Sequence, residues 1–167
     1  IFTACDKDNY VLTDDELVVQ RTPTEPKMVP FKGTFEVPPI SDQTIICDEE
    51  SGFALPKYNA ITGNATHLGK IDPSLSEFTI QTCSINLDEG MLYLNDVIVI
   101  RNKKGDGFAL EGTSAVDLST SLGVGNYSIS VGYGKFENAS GTLTTYGNLN
   151  NVPPSFTAEG MVTQPNH

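Results

Sequence analysis

From Phe31 onward, short segments rich in β-branched and aromatic residues alternate with clusters of Gly, Pro, Asn and Asp. No stretch of this region repeats its apolar residues with the 3.6-residue period of a helix. The pattern instead predicts an all-β domain of eight or nine antiparallel strands, a number sufficient to close a barrel. The predicted strands are residues 31–37, 43–47, 60–71, 77–85, 91–101, 107–114, 126–133, 141–146 and 155–162.

The alternation is clearest between residues 127 and 133, where large and small side chains follow one another. Successive side chains of a strand point to opposite faces, so the large residues share a face that we expect to be buried. These residues are Tyr127, Ile129, Val131 and Tyr133.

A second informative segment is the nearly continuous apolar run 96–100, Asp-Val-Ile-Val-Ile. Such a run favours a strand that is covered on both faces. The sequence Lys-Lys-Gly-Asp-Gly at 103–107 follows it and predicts the turn of a hairpin from Met91 to Ser114. A closed barrel would protect every strand edge and an open sandwich would not, but these patterns are compatible with both.

The first thirty residues have a different composition. They hold six of the acidic residues and three prolines, with one apolar cluster at 17–19. This composition predicts an N-terminal tether, 1–30, that contains a short strand. The β domain is then expected at 31–163, one domain of ordinary size.

The net charge of −11 and the pI near 4.4 limit the partners of the chain. Nucleic-acid binding needs clustered Lys and Arg, so we expect no nucleic-acid partner. No run approaches the roughly 18 apolar residues that span a bilayer. We therefore expect contact with a membrane only through a lipid anchor.

The residues that precede Cys5 suggest such an anchor. Ile-Phe-Thr-Ala at 1–4 followed by Cys5 resembles the end of a bacterial lipobox, in which the cysteine carries the lipid. Lipidation of Cys5 would make the chain an extracellular or cell-surface protein, specifically an outer-membrane lipoprotein. The alternative is an ordinary thiol near the terminus.

The other two cysteines, Cys47 and Cys83, both lie in β-like apolar segments. In an exported chain, an odd count suggests one disulfide and one cysteine with another role. A bridge between Cys47 and Cys83 would stabilise the fold by roughly 3 to 4 kcal/mol through chain entropy. The alternative is two reduced cysteines that pack as small apolar side chains.

The sequence offers little catalytic chemistry. His67 is the one histidine inside the domain, so a histidine-based triad or a multi-histidine zinc site cannot form within one chain. No Gly-x-Ser-x-Gly, Walker loop or dinucleotide-binding motif is present. We therefore predict no catalytic residue, no metal and no cofactor, and regard an enzymatic role as less favoured than a noncatalytic one.

Three segments carry a resemblance to a known family, in matching order. They are Gly-Asn-Ala-Thr-His-Leu-Gly-Lys at 63–70, Asn-Lys-Lys-Gly-Asp-Gly-Phe at 102–108 with Glu-Gly-Thr at 111–113, and Gly-Tyr-Gly-Lys-Phe-Glu-Asn-Ala-Ser-Gly-Thr at 132–142. Together they resemble uncharacterised secreted and lipid-anchored bacterial proteins of the Bacteroidetes type. The last segment is also similar to the barrels of dirigent proteins and allene oxide cyclases. The resemblance implies an antiparallel barrel and no particular reaction.

Three functional hypotheses follow from these observations. The leading one is a noncatalytic surface protein that binds a small apolar ligand or a neighbouring surface protein, because an eight-stranded barrel can hold one small ligand. The second is a cofactor-independent cyclase or isomerase with an apolar pocket. The third is a subunit of a surface assembly, in which the N-terminal strand pairs with a neighbouring copy in a homo-oligomer. The predicted ligand-binding residues are His67, Tyr93, Tyr127 and Tyr133.

Overall fold

The computed structural model describes residues 26–166. Twelve strands and one 3-10 turn form in that range, and no helix there is long and apolar enough to cross a membrane. The strands are β1 Met28–Glu36, β2 Thr44–Asp48, β3 Phe53–Pro56, β4 Tyr58–Ala60, β5 Thr62–Ala65, β6 Gly69–Lys70, β7 Glu77–Asn86, β8 Met91–Arg101, β9 Gly107–Asp117, β10 Leu122–Tyr133, β11 Gly141–Asn148 and β12 Ser155–Thr163, with the 3-10 turn at Gly134–Phe136.

The strands form an antiparallel sheet that curls into a barrel, which confirms the predicted fold class. Strands β7, β8, β9, β10, β11, β12 and β1 pair in this order. The segment 58–65 joins the two ends of this series: its β4 part pairs with β7 and its β5 part pairs with β1. The ring therefore has eight members, each hydrogen-bonded to two neighbours.

The joining segment bends at Ile61, which is fully buried between its two paired parts. Gly63 makes the second half possible because its φ is +140° and an added Cβ would lie 2.1 Å from the carbonyl oxygen of Thr34. The single strand that the sequence predicted at 60–71 is thus β5, a turn and β6, with β4 before them. Twelve strands form instead of the expected eight or nine because the predicted strand 60–71 is divided and because β3 was not predicted.

The main core fills the end of the barrel where β8 and β9 are joined. Phe31, Phe108 and Phe136 are fully buried there, with edge-to-face ring pairs at centroid distances of 5.2 and 5.3 Å. Burial of each such ring contributes roughly 1.5 to 3 kcal/mol. Because Phe136 lies on the 3-10 turn, it closes this end of the barrel.

The expectation that Val131 shares the buried face of β10 is wrong. The pairing of β10 with β9 shifts register between Ile129 and Val131, and the side chain of Val131 is 48% exposed. A bulge of this kind inserts one residue and changes which side chains point inward.

The hairpin formed by β2 and β3 packs outside the ring, against the end of β7. Its inner face carries Ile45, Cys47 and Leu55, which contact a second apolar cluster around Leu92 and Val116. The disulfide between Cys47 and Cys83 attaches this hairpin to β7 and confirms the predicted bridge. Sequence patterns predicted the first strand of the hairpin and missed β3.

Candidate functional site

A cavity of about 230 Å³ opens at the end of the barrel opposite the phenylalanine core. Strands β1 and β7 end here, and the β2–β3 hairpin forms part of the wall. Alternate residues of each strand point inward, and most of these inward residues are apolar, so the cavity walls are predominantly apolar. Barrel residues on the wall include Phe78, Ile80, Leu94, Ile98 and Val116, and residues near the mouth include Val37, Pro39, Leu55, Leu149 and Pro154.

Glycines on β10 and β11 create much of this space. Gly123, Gly125 and Gly147 line the cavity at positions where other strands carry side chains. A Cβ on Gly125 would lie 2.5 Å from the Tyr127 ring and 2.8 Å from Thr145 Oγ1. The absence of a side chain at these glycines leaves room for the Tyr127 ring and for Thr145, and it keeps the cavity open.

Polar side chains line the cavity in the middle of the barrel: Ser114 on β9, Tyr127 on β10 and Thr145 on β11. Asp96 on β8 lies behind this lining, in contact with Ser114. Asp96 points inward between Leu94 and Ile98, and its side chain is 1% exposed. Ser114 Oγ donates a hydrogen bond to Asp96 Oδ2 at 3.3 Å. Asp96 Oδ1 accepts no hydrogen bond from any residue between 26 and 166.

Burial governs the protonation of this cluster. It raises the pKa of Asp96 from 3.8 to about 6, although the hydroxyl groups of Tyr127 and Ser114 act in the opposite direction. The Tyr127 hydroxyl lowers the pKa of Asp96 through its proximity, although it does not make a well-formed hydrogen bond to Asp96 Oδ1. Burial also raises the pKa of Tyr127, and the negative charge of Asp96 adds to that effect. Near neutral pH the barrel interior beside the cavity thus holds a largely ionised carboxylate, Asp96, near the neutral phenol of Tyr127.

Of the four residues that sequence reasoning proposed as ligand contacts, the structure places Tyr127 on the cavity wall. His67 is exposed in a turn at the opposite end of β1, with Nε2 3.0 Å from the carbonyl oxygen of Pro30. Tyr93 lies on the outer face of β8 and donates a hydrogen bond to Glu89 Oε2 at 2.7 Å. Tyr133 stacks under the guanidinium of Arg101, 4.5 Å from the ring centroid, at the phenylalanine-filled end. The fold does not bring these four side chains together, and their contact with a ligand stays a prediction.

Asp96 is the functional candidate that sequence reasoning missed. It appeared only as the first residue of an apolar run. One signal was available: Leu92, Leu94, Asp96, Ile98 and Ile100 share one strand face, so an acid occupies the middle of an otherwise apolar series. Buried carboxyl groups with raised pKa values are concentrated at functional sites.

Charge is distributed unevenly along the barrel axis. Among residues 26–166, the cavity end carries eight acidic side chains and one basic side chain, Lys57: the acids are Glu36, Asp42, Asp48, Glu49, Glu50, Asp88, Glu89 and Asp117. The opposite end carries six of the eight basic side chains between residues 26 and 166, namely Lys27, Lys70, Arg101, Lys103, Lys104 and Lys135. The cavity end is therefore the acidic end of the barrel.

Metal coordination has no support from the side chains that the structure describes. Among residues 26–166, no group of three or more His, Cys, Asp or Glu side chains is arranged to hold a metal ion. Asp96 is the one acid in the barrel interior over this range, and its neighbours are hydroxyl and apolar groups.

Comparisons with known proteins give a likeness to a solved structure. No protein-family model matches the chain, and no curated protein matches it significantly. Among solved structures, it is similar to the pterocarpan synthase dirigent protein GePTS1, with 15% identity and a TM-score of 0.46 over 87% of this chain and 90% of that one. The fold described above rests on the strand pairings of the chain itself, and this likeness adds no argument to it.

Proposed function

We propose that this chain is a noncatalytic binding protein that holds a small, largely apolar ligand at the open end of its barrel. The observation that carries the proposal is the apolar cavity of about 230 Å³ with one polar cluster at its floor. Binding sites for small molecules typically combine apolar walls with a few convergent polar groups. A cavity of roughly 150 Å³ accommodates benzene, so this one suits a molecule with one or two rings.

Export is part of this proposal. The disulfide between Cys47 and Cys83 supports an oxidising compartment, because thiols stay reduced in the cytosol of most organisms. Surface attachment through Cys5 and the relationship to Bacteroidetes-type secreted proteins belong to the proposal as well. Cys5, the tether and the strand proposed for subunit assembly lie outside the described residues except for 26–30.

Ligand binding can be tested by NMR on the ¹⁵N-labelled protein with toluene and 2-phenylethanol as probes. We expect saturable shift changes that centre on amides of the cavity wall, such as those of Leu94, Val116 and Gly125. Shift changes scattered over the surface, or no saturable change with either probe, would contradict the proposal.

A matched pair of substitutions on the hairpin sharpens this test. Leu55 points toward the cavity and Ile46 points away from it and is 60% exposed. We expect Leu55→Trp to obstruct the cavity and weaken binding of both probes at least tenfold, and Ile46→Trp to leave binding within about twofold. Equal effects of the two variants would place binding elsewhere.

A cofactor-independent isomerase is the second candidate, and the inward carboxyl group of Asp96 favours it. An acid whose pKa is near 6 can deliver or accept a proton close to neutral pH. Mass spectrometry and NMR of ligands recovered after incubation distinguish the two functions. A chemically unchanged ligand supports binding alone, whereas conversion that disappears in Asp96→Asn supports catalysis.

A further inference from the structure

We propose that the cavity selects a cationic ligand, specifically a small amine with an apolar body of one or two rings. This inference rests on the proposed function and specifies the chemical class of its ligand. It follows from three features: an apolar cavity, a buried carboxylate beside the cavity lining with one oxygen that accepts no hydrogen bond from residues 26–166, and an excess of acidic side chains at the cavity end of the barrel.

The carboxylate of Asp96 is incompletely paired by the residues that the structure describes. Asp96 is 1% exposed, one of its oxygens accepts a single hydrogen bond at 3.3 Å from Ser114, and the other accepts none from residues 26–166. A buried charge is costly unless it is paired and hydrogen-bonded. An ammonium group supplies both the opposite charge and N–H donors, so its arrival would satisfy Asp96 Oδ1.

Asp96 discriminates between ligands of different charge. An anionic ligand would be repelled by Asp96 and would leave its own charge unpaired among apolar walls. A neutral alcohol could donate to Oδ1, but a charge-assisted hydrogen bond between two ions is stronger than one in which a single partner is charged. The same geometry therefore ranks amine above alcohol and alcohol above carboxylate.

Acidic side chains are concentrated in the loops at the cavity end of the barrel. The hairpin turn contributes Asp48, Glu49 and Glu50 to this end, and the β7–β8 turn contributes Asp88 and Glu89. A cleft bordered by one sign of charge raises the local concentration of oppositely charged solutes. The acidic end is thus suited to attract the cation that Asp96 would hold.

The apolar walls determine the rest of the ligand. Leu94 and Ile98 flank Asp96 on β8, and Phe78 and Val116 lie on the adjacent strands β7 and β9. An ammonium paired with Asp96 would therefore direct its hydrocarbon group along these side chains toward the mouth. A simple hydrated cation would lack this apolar contact.

The test compares three probes of nearly equal size by isothermal titration calorimetry at pH 7.5: phenethylamine, 2-phenylethanol and phenylacetate. For the wild type we expect phenethylamine to bind at least tenfold more tightly than 2-phenylethanol, and phenylacetate to bind most weakly. In Asp96→Asn the advantage of the amine should fall to less than threefold, with the affinity for 2-phenylethanol nearly unchanged. Glu137→Gln, an exposed change at the opposite end, serves as the control and should retain the full preference.

The outcomes separate this inference from the function on which it rests. If 2-phenylethanol binds in the cavity but phenethylamine binds no more tightly, the inference is overturned and the proposed function stands. An amine preference that survives in folded Asp96→Asn also overturns it. Absence of cavity binding by all three probes and by toluene overturns both.

Discussion

At the scale of single residues, Asp96 is the position where the sequence departs most from what a stable barrel needs. Leu or Ile at this place would continue the apolar series of β8. A carboxyl group instead loses hydration there and regains one hydrogen bond from Ser114. A residue that reduces stability in this way is expected where binding requires it.

The raised pKa of Asp96 predicts how stability depends on pH. Because the folded-state pKa lies above the unfolded value, the native state binds the proton more tightly, and stability falls as pH rises through this interval. Between about pH 4 and pH 7 the free energy of unfolding of the wild type should decrease by about 2 kcal/mol relative to Asp96→Asn.

Urea denaturation of both proteins at pH 4, 5, 6 and 7.5 measures this difference. Comparing the two cancels the opposite contribution of Asp48, Asp72 and Asp117, whose pKa values are lowered by hydrogen bonds from nearby serines. A difference that stays constant over this range would show that Asp96 does not titrate as described.

At the scale of elements, two short segments determine the shape of the cavity end. The bent segment 58–65 closes the ring because its two halves pair with different strands. The β2–β3 hairpin then supplies a wall of the cavity and is fastened to β7 by the disulfide. Neither segment is a long regular strand, so both depend on particular residues.

Gly63 is the residue on which the bent segment depends. We expect Gly63→Ala to lower the free energy of unfolding by roughly 2 to 4 kcal/mol, because the new Cβ would overlap the backbone of Thr34 at an unfavourable φ. Gly69→Ala is the matched control: its φ is +69° but nothing lies within 4 Å of the added Cβ. Its cost should be limited to the left-handed conformation, about 1 to 2 kcal/mol. Chemical denaturation compares the variants, and equal losses would contradict a role for Gly63 in the closure.

The hairpin depends on its disulfide. We expect the double variant Cys47→Ser/Cys83→Ser to lose roughly 3 to 4 kcal/mol of unfolding free energy, since the bridge closes a separation of 36 residues. Binding of 2-phenylethanol should weaken as well, because the hairpin wall is released. Wild-type protein treated with reductant should behave like the variant, and unchanged binding in both would indicate that the hairpin does not contribute to the site.

At the scale of the whole molecule, the barrel is electrically polarised along its axis. Among residues 26–166, eight acids lie at the cavity end, and six of the eight basic side chains lie at the phenylalanine-filled end. This arrangement orients an approaching cation toward the cavity.

Salt should therefore weaken amine binding selectively. Raising ionic strength from 0.01 to 0.15 M shortens the Debye length from about 30 to about 8 Å. We expect the affinity for phenethylamine to fall severalfold over this range and the affinity for 2-phenylethanol to stay constant. Glu49→Gln/Glu50→Gln should reduce the salt dependence, whereas Lys103→Gln/Lys104→Gln at the other end should not. Equal salt dependence for amine and alcohol would rule out steering by the acidic end of the barrel.

Much of the fold could be predicted from local patterns. The bounds of β8 match the predicted 91–101 because its apolar run and the following turn are both local features. The outward rotation of Val131 could not be predicted, since a bulge depends on how β10 pairs with β9. Strand β3 was missed because its four residues show no alternation of their own.

The candidate site was less predictable than the fold. Tyrosine content suggested a pocket, and Tyr127 lies on its wall, but Tyr93 and Tyr133 point elsewhere. Residue type alone does not say which face of a strand enters the barrel. The burial of Asp96 could be predicted only if it was known that β8 pairs with β7 on one edge and with β9 on the other.

The sequence by itself determined the class of fold, the main hairpin, the excess of acidic residues and the cysteines available for a bridge, because these depend on composition and short-range periodicity. The tertiary structure decided how the ring of strands closes, which end of the barrel stays open and which acids lie at that end. It also decided that one carboxyl group of a strand becomes a buried charge. Those properties arise from pairings between residues far apart in the chain, such as Thr34 with Asn64 and Asp96 with Gly112, which local sequence patterns do not encode.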